Sequence, residues 1–333
     1  MLKLLLSLFN PWTCGGILSS KYDHIDLHMN WEDFFSGDYI LITHLENTLP
    51  IASDSNYYIH KCNIFNISSH PIYVNPYQML STKILFEDCA LTDTSKEMFI
   101  LQHGGTVWNR VCAYNCVANS GNNQLLETQA PTLSEIPQII KDSSINKCGN
   151  STYRLIAISG GKISIDQVNI SSCKAEIYGT LDLNNCNNVI MQFSTILNNF
   201  AWESSIIGFK SVICRCLKCN YLENNSTTNN IIYFQNYSLN FIDSVFLGNN
   251  RKPFISYGPE KIQLYHCYLD IQDVAYINTY DMISMKFTNT LYHLQTGFCQ
   301  AGFRLYTDED LNISCECTNN LIQPRYALKR IRM

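Results

Sequence analysis

Residues 239–249 read Leu-Asn-Phe-Ile-Asp-Ser-Val-Phe-Leu-Gly-Asn, and the same pattern recurs upstream in the chain. Residues 189–199 read Val-Ile-Met-Gln-Phe-Ser-Thr-Ile-Leu-Asn-Asn, and residues 214–224 read Cys-Arg-Cys-Leu-Lys-Cys-Asn-Tyr-Leu-Glu-Asn. The shared template is apolar, x, apolar, x, x, small, x, large apolar, x, x, Asn. Alternating apolar and polar positions are typical of β-strands, and self-similarity at a fixed period is typical of solenoids.

The large apolar position of this template serves as a marker that recurs through most of the chain. It falls at Ile64, Leu91, Ala113, Ile145, Ile170, Ile196, Tyr221, Phe246, Leu269 and Thr290. The steps between markers are 27, 22, 32, 25, 26, 25, 25, 23 and 21 residues. Such a period, with two or three short strands in each unit and no helical periodicity, predicts an all-β fold: a right-handed parallel β-helix of about ten coils. The longest step predicts a loop at Gln124–Gln138.

Two further positions of the template form columns of similar residues. The position two before the marker is small or β-branched in nine units, as Cys62, Cys89, Val111, Ser143, Val168, Ser194, Cys219, Ser244 and Cys267. The position three after the marker is Cys or Asn in six successive units, as Cys116, Cys148, Cys173, Asn199, Asn224 and Asn249. Stacked Asn side chains hydrogen-bond each other and the backbone of adjacent coils. The six residues are therefore predicted to form a structural ladder, with the cysteines as its apolar extension.

The repeat resembles right-handed parallel β-helix proteins of the pectate-lyase-like superfamily, which carry stacked Asn ladders. Residues 246–249, Phe-Leu-Gly-Asn, also resemble the F-x-x-N repeats of polymorphic outer-membrane-type surface proteins and of protist surface proteins. Those repeats pair F-x-x-N with a Gly-Gly-aliphatic motif, whereas Gly104-Gly105 is followed here by Thr106 and Gly160-Gly161 by Lys162. The resemblance covers residues 55–295. It implies the fold but no particular activity, because one fold hosts many activities.

Four regions are predicted along the chain. Residues 1–16 combine Lys3 with a short apolar run, which predicts a secretory signal peptide; an apolar capping segment is the alternative. Residues 17–54, with Trp31, Phe34 and Phe35, are predicted to cap one end of the β-helix, since an open end exposes a strand edge. The β-helix occupies residues 55–295. Residues 296–333 are predicted as a Cys-containing cap and a basic tail.

Fifteen cysteines raise the question of disulfides and metals. Nine fall on inward template positions and are predicted to pack in the core, namely Cys62, Cys89, Cys116, Cys148, Cys173, Cys214, Cys216, Cys219 and Cys267. Cys214-x-Cys216-x-x-Cys219 resembles a zinc cluster but lacks a nearby fourth ligand, so no metal site is predicted. A disulfide between Cys62 and Cys89 is an alternative. Cys299 with Cys315 or Cys317 is the favoured disulfide, since these three lie off the inward positions.

Seven Asn-x-Ser/Thr sequons are compatible with secretion. Candidate glycosylation sites are Asn66, Asn150, Asn169, Asn225, Asn236 and Asn312. The seventh sequon begins at Asn224, which the template assigns to the ladder, so Asn224 is predicted to escape glycosylation.

Motifs for catalysis are not found in the sequence. His24 and His28 lack the Glu of a metalloprotease helix. Glycoside hydrolysis requires two carboxylates that face each other across the scissile bond. The adjacent pair Glu87-Asp88 is the nearest approach to this arrangement, and Asp142, Asp166 and Asp243 are placed on other coils. Arg110 is expected to form a surface ion pair with Asp88. No catalytic residue and no cofactor is predicted.

The predicted function is non-catalytic: a secreted or cell-surface protein that acts in adhesion or ligand binding. Its partner is an unknown protein or glycan. A net charge of −5 without a basic cluster argues against nucleic acid, and no run of 18 apolar residues predicts a transmembrane helix. An aromatic contact surface is a candidate, with the tyrosines off the inward positions as its members: Tyr57, Tyr58, Tyr73, Tyr77, Tyr178, Tyr237, Tyr257 and Tyr265. A pectate-lyase-like carbohydrate-active enzyme and a structural spacer or degenerate paralogue are the alternatives.

Overall fold

The computed structural model of the protein describes residues 30–43, 55–65, 72–73, 83–87, 89–92, 99–102, 104–117, 125–132, 134–149, 154–176, 179–202, 206–210, 213–227, 231–235, 238–250, 254–256, 261–270 and 277–282. A 3-10 helix spans Trp31–Asp33. The first strands are β1 (Ile40–Ile42), β2 (Tyr57–His60), β3 (Asn63–Phe65), β4 (Ile72–Tyr73), β5 (Lys83–Glu87), β6 (Ala90–Thr92), β7 (Phe99–Gln102), β8 (Gly105–Asn109), β9 (Cys112–Tyr114), β10 (Leu126–Gln129), β11 (Pro137–Lys141), β12 (Ser144–Asn146), β13 (Ile156–Ser159), β14 (Lys162–Asp166) and β15 (Asn169–Ser171). The strands that follow are β16 (Lys174–Ala175), β17 (Leu181–Asn184), β18 (Asn188–Gln192), β19 (Thr195–Leu197), β20 (Phe200–Ala201), β21 (Ile207–Lys210), β22 (Ile213–Leu217), β23 (Asn220–Leu222), β24 (Asn225–Ser226), β25 (Ile232–Phe234), β26 (Ser238–Ile242), β27 (Val245–Leu247), β28 (Phe254–Ser256), β29 (Lys261–Leu269) and β30 (Ile277–Met282).

The strands stack as parallel sheets that the chain visits in turn. Sheet 1 contains β1, β2, β5, β8, β11, β14, β18, β22, β26, β29 and β30. Sheet 2 contains β3, β6, β9, β12, β15, β19, β23, β27 and the end of β29. Sheet 3 contains β4, β7, β10, β13, β17, β21, β25 and β28, and the short sheet 4 contains β16, β20 and β24. Each coil passes through sheet 1, sheet 2, in three coils sheet 4, and then sheet 3.

This topology confirms the predicted class, an all-β parallel solenoid. The number of coils differs from the ten predicted: within the described residues, eight coils have a strand in each of the three long sheets. The right-handed sense stays a prediction. None of the described residues forms a helix with the length and hydrophobicity that a membrane crossing requires.

The predicted register of the markers is confirmed. Nine of the ten markers form one column in sheet 2, in which each residue pairs with the marker of the next coil, from Ile64 with Leu91 to Phe246 with Leu269. Thr290 lies outside the described residues. The markers point into the solenoid core, where Tyr221 and Phe246 stack with ring centroids 4.6 Å apart and an interplanar angle of 7°. The rings of Phe241 and Phe246 meet edge to face at 5.2 Å, an arrangement that aromatic quadrupoles favour.

Two columns of left-handed residues bend the chain on either side of sheet 2. The residue three before the marker has φ between 46° and 54° at Lys61, Arg110, Asp142, Gln167, Phe193, Lys218, Asp243 and His266. The residue two after the marker has φ between 49° and 66° at Asn115, Lys147, Ser172, Asn198, Glu223 and Gly248. A non-glycine residue in this conformation costs on the order of 1 kcal/mol. Its recurrence shows that each bend is imposed by stacking on the coils above and below.

The Asn column satisfies the backbone that the second bend turns inward. Asn224 is 0% exposed, and its Oδ1 accepts hydrogen bonds from the N–H of Asn199 at 3.1 Å and from Nδ2 of Asn199 at 3.2 Å. Asn249 Oδ1 accepts the same two bonds from Asn224, at 2.9 and 3.2 Å. Each amide also donates to the carbonyl of the preceding marker, as Asn224 Nδ2 does to Ile196 at 2.9 Å.

The cysteines of this column do more than extend it as apolar residues. Cys116 Sγ donates to the Leu91 carbonyl at 3.3 Å, and Cys173 Sγ lies 3.7 Å from the Ile145 carbonyl. These carbonyls belong to the preceding markers, so a thiol takes the place of the Asn amide at the same acceptor. The expectation of a purely apolar extension is therefore corrected: the thiol is a weak donor and continues half of the ladder.

A second ladder, formed by serines, lies at the first bend. The Oγ atoms of Ser143, Ser194 and Ser244 accept the N–H of the residue at the same position in the preceding coil, at 3.1, 3.2 and 3.2 Å. Each hydroxyl also donates to the carbonyl two residues before it, at 2.7, 2.8 and 3.1 Å. The small residues predicted at this position therefore also serve as hydrogen-bonding groups.

One predicted region differs in detail. Gln124–Gln138 was expected to form a loop, but Leu126–Gln129 is β10 of sheet 3 and Pro137–Lys141 is β11, so the extra residues lie before and after a regular strand. Trp31 and Phe35 pack against Tyr58, Leu85 and Val107 on the outer side of sheet 1, and β1 pairs with β2 at the edge of that sheet. The N-terminal cap over residues 17–54 stays a prediction. Residues 1–29 and 283–333, and with them the predicted signal peptide and C-terminal cap, lie outside the described residues.

We expect Asn224→Leu to reduce the free energy of unfolding by about 1–3 kcal/mol, because it leaves the N–H of Asn199 without the Asn224 oxygen and removes the amide hydrogen bond to the Ile196 carbonyl in the core. Chemical denaturation measures this change. Asn240→Leu, at a half-exposed position of β26, is the matched control and should change stability by less than about 0.5 kcal/mol. Equal effects of the two substitutions would argue against the ladder.

Candidate binding surface

Large parts of the solenoid surface are shielded from solvent. The outer side of sheet 1 is covered by Trp31 and Phe35 at its first coils. The outward side chains in the central coils of sheet 2 are buried as well, with Asn220 and Leu222 each 1% exposed, and Leu197, Leu222 and Val245 form an apolar cluster separate from the core. The exposed large hydrophobic side chains of the described residues include Ile40 and Leu41 of β1, Ile213 of β22 and Trp202 beside β20.

The outer side of sheet 3 carries a buried ion-pair network centred on Asp182. Its Oδ2 accepts hydrogen bonds from Arg154 Nη1 at 2.9 Å and Asn184 Nδ2 at 2.7 Å, and Lys210 Nζ lies 3.5 Å from Oδ1. Asp182 is 1% exposed. Its neighbours in the sheet are Ala157 and Gly208, and a Cβ on Gly208 would lie 3.0 Å from Oδ1.

This environment makes Asp182 a structural carboxylate. Two cations and an amide hold its charge, and the two positions that flank it in the sheet, Ala157 and Gly208, supply no second carboxylate. General acid–base cleavage of a glycosidic bond needs a second carboxyl group across the substrate. Asp182 contacts Asn184 in its own strand, Lys210 in the next coil and Arg154 in the preceding coil. Its role is therefore to connect three successive coils.

The acidic residues singled out in the sequence lie near the first bend. Asp166 is directly opposite Lys141 in the adjacent coil, which places Asp142 and Asp166 on neighbouring coils. Burial raises the pKa of the Asp142 carboxyl; Asp166 raises it further, while Lys141 and Arg110 oppose the shift. Burial likewise raises the pKa of Asp166, against a hydrogen bond with Gln192. Asp243 pairs instead with His266, 3.6 Å away. The side chain of Glu87 and all of Asp88 lie outside the described part of the chain.

The cysteines predicted for the core are all buried free thiols, and Cys186 is a tenth. Cys112 is in a disulfide bond. Cys62 and Cys89 remain free thiols, and a hydrogen bond with Cys89 lowers the pKa of Cys62. Burial raises the pKa of Cys219 to about 12 and that of Cys216 well above its usual value, so these thiols are protonated at neutral pH. Cys299, Cys315 and Cys317 lie outside the described residues.

Sheet 4 presents the most exposed large aromatic side chain among the described residues. In β20 the small Ala201 points inward and is buried, so Phe200 and Trp202 on either side of it point outward. The Trp202 side chain is 57% exposed, and its ring centroid lies 6.0 Å from that of the half-buried Phe200. The Trp202 backbone is fixed, because its N–H donates to the Ala175 carbonyl at 3.1 Å and its carbonyl accepts the Thr227 hydroxyl.

Amide side chains continue this surface along the next two coils. Asn225 of β24 pairs with Phe200 and is exposed. Asn250 Nδ2 donates to Asn225 Oδ1, and Asn250 Oδ1 accepts the Ser226 N–H at 2.9 Å. Together these residues form what we call the aromatic–amide patch: Phe200, Trp202, Asn225, Thr227 and Asn250. The patch itself is uncharged, and an exposed Lys174 and an exposed Glu176 lie on the preceding coil.

Several residues predicted for the surface have other positions. Tyr57 and Tyr58 are 3% and 8% exposed, so they are not contact residues; Tyr265 is half-buried, and the side chains of the other five tyrosines are not described. Asn169 is 3% exposed in β15, which leaves no room for a glycan in the folded chain and corrects its assignment as a candidate site. Asn225 is exposed, and Asn66, Asn150, Asn236 and Asn312 lie outside the described residues.

Phe200 and Trp202 were not singled out from the sequence. The template ended three residues after the marker, whereas these residues are four and six after Ile196. One more step of the same alternation would have indicated them, because the fifth position is small and buried in three successive coils, as Ala175, Ala201 and Ser226.

No protein-family model, curated protein or solved structure matches the chain.

We expect Asp142→Asn to raise the midpoint of thermal unfolding at pH 7. A carboxyl whose pKa is raised by folding stabilises the folded state below its unfolded pKa, and this stabilisation is lost as pH rises through the folded pKa. At pH 7 the negative charge of Asp142 therefore destabilises the folded state, and Asn removes that charge. The gain should shrink toward about pH 3, where both states are protonated. Asn is also compatible with the φ of 46° at this position, an effect that is the same at both pH values. A gain independent of pH would contradict the electrostatic cause.

Alkylation of Cys214, Cys216 and Cys219 by iodoacetamide should be at least about a thousandfold slower in the native protein than after denaturation, because burial makes all three inaccessible and keeps Cys216 and Cys219 protonated. Mass spectrometry of tryptic peptides after timed pulses at pH 8 measures the rates. Fast native labelling of Cys219 would contradict its assignment to the core.

Proposed function

We propose that this protein is a non-catalytic binding protein, secreted or displayed at a cell surface, which uses the aromatic–amide patch in adhesion or ligand binding. The observation that carries the proposal is the 57% exposure of Trp202 on a backbone held by hydrogen bonds to both neighbouring coils. Aromatic side chains on rigid scaffolds supply contact area at a low entropic cost.

The surroundings of the patch support a binding role over catalysis. Its side chains are aromatic rings, amides and a hydroxyl, none of which titrates near neutral pH. The carboxylate nearest to a catalytic setting, Asp182, belongs to sheet 3 and is already paired with Arg154 and Lys210. A pectate-lyase-like activity would require a free carboxylate or base beside the substrate.

Secretion is part of the proposal and rests on the N-terminal sequence and the sequons. The exposed Asn225 at the start of Asn-Ser-Thr is compatible with passage through a glycosylating compartment, and binding through the patch then requires that Asn225 stay unmodified. Buried thiols are compatible with it too, because a protonated thiol inside a core is inert.

We expect Trp202→Ala to weaken binding to cells or extracellular matrix at least about fivefold, since the substitution removes the main exposed ring of the patch. The full chain is expressed in a secreting host that does not attach N-glycans, so that Asn225 stays unmodified, its N-terminus is sequenced, and binding is measured by flow cytometry. Ile213→Ala is the matched control, because Ile213 is 40% exposed on β22, outside the patch. Equal binding by both variants and the unaltered chain would exclude the patch as the contact surface.

A further inference from the structure

We propose that the ligand of the aromatic–amide patch is a neutral glycan bound along the solenoid axis. This inference rests on the proposed function and adds the chemical class of the ligand. Three features of the patch lead to it: its small apolar area, its lack of charge and the placement of amides beside the rings.

The apolar area of the patch is too small for a protein partner. Among the described residues of sheet 4, only Trp202 is a highly exposed large hydrophobic residue, and Phe200 is half-buried. A stable protein–protein contact buries on the order of 1,000 Å² or more, usually around several anchoring side chains. Two adjacent rings fit the face of one or two sugar units instead.

The charge of the described residues in and beside the patch argues against an acidic ligand. Phe200, Trp202, Asn225, Thr227 and Asn250 carry no charge. On the preceding coil the exposed Lys174 is two residues from the exposed Glu176, so the described residues next to the patch contribute no net positive charge. Nucleic acids and acidic polysaccharides are bound through several clustered cations, which the described part of sheet 4 does not offer.

The aromatic rings and amides of the patch are suited to a sugar, which has C–H groups on its face and hydroxyl groups at its edge. The face of an indole packs against the C–H groups of a sugar, and amides both donate to and accept from its hydroxyls. Asn225 lies directly beside Phe200 in the sheet, and Asn250 is hydrogen-bonded to Asn225 from the next coil. Since both amides are held in place before a ligand arrives, binding requires little ordering of side chains.

The stacking of the coils sets the direction of the ligand. Phe200, Asn225 and Asn250 are on successive coils, and neighbouring strands are about 4.8 Å apart. From the ring of Phe200 to the amide of Asn250 the patch therefore extends about 10 Å along the axis, which accommodates roughly two linked sugar units. A glycan that lies across the coils would contact the rings or the amides but not both.

Asn225 is also a sequon residue, so a glycan attached to it would occupy the same surface. The test therefore uses the full chain produced in a host that does not attach N-glycans. Neutral, sulfated and uronate-containing oligosaccharides are compared on an array, and the best ligands are titrated by calorimetry at 50 and 500 mM NaCl.

We expect neutral oligosaccharides to bind, with an affinity that changes less than about twofold between the two salt concentrations. Trp202→Ala should weaken their binding at least about tenfold, Trp202→Phe should retain part of it, and Ile213→Ala should leave it unchanged. Thermal unfolding of each variant verifies that the coils remain intact. Because Trp202 is exposed, its substitution should not change the midpoint appreciably.

Other outcomes overturn the inference in distinguishable ways. Preference for acidic glycans with a steep loss of affinity in salt would exclude a neutral ligand. Absence of glycan binding, together with cell binding that still depends on Trp202, would overturn the glycan class and leave the proposed function standing. Cell binding that is independent of Trp202 would overturn both.

Discussion

The structure depends on how backbone N–H groups are satisfied at the two bends beside sheet 2. Each bend forces a residue into a left-handed conformation and turns the next residue toward the buried core. An unpaired N–H there would cost about 1–3 kcal/mol in every coil. The oxygens of Asn224, Asn249 and Ser244, each supplied by the following coil, remove that cost. A coil is therefore completed by its neighbour, which makes the stack cooperative rather than a row of independent turns.

The same dependence explains the unusual use of cysteine. Five of the six members of the Cys and Asn column, Cys116, Cys173, Asn199, Asn224 and Asn249, meet one requirement, a small side chain that reaches the carbonyl of the preceding marker. A thiol meets it weakly and an amide meets it well. Burial raises the pKa of the Cys219 and Cys216 thiols, which makes them poor nucleophiles. In the protonated form both pack as small apolar residues in the core that contains Tyr221. The metal-like spacing from Cys214 to Cys219 is thus a consequence of strand alternation followed by a bend.

The sequence was sufficient for the class of fold and the register of sheet 2, because the template positions keep the same spacing within each coil even where the length of the coil varies. It was insufficient for the bends, since residues as different as Phe193, Glu223 and His266 share the left-handed conformation and no composition marks it. The Asp182 network was missed because Arg154 and Lys210 are each 28 residues from it and become neighbours only through sheet 3. Trp202 was missed for a simpler reason: the template ended three residues after the marker, before the alternation that places Phe200 and Trp202 outward.

The distance from sheet 1 to sheet 2 is the same in every coil: seven residues separate Ile84 from Leu91 and Leu239 from Phe246. From sheet 2 to sheet 3 the distance varies, with 8 residues from Leu91 to Phe99, 13 from Ala113 to Leu126 and 11 from Ile145 to Ile156. One corner of the solenoid is therefore fixed by its ladders, while the opposite stretch accepts insertions and deletions. Sheet 4 and Trp202 belong to that permissive stretch. Evolution, or a protein engineer, could replace the surface there coil by coil, while the register that holds the molecule together stays unchanged.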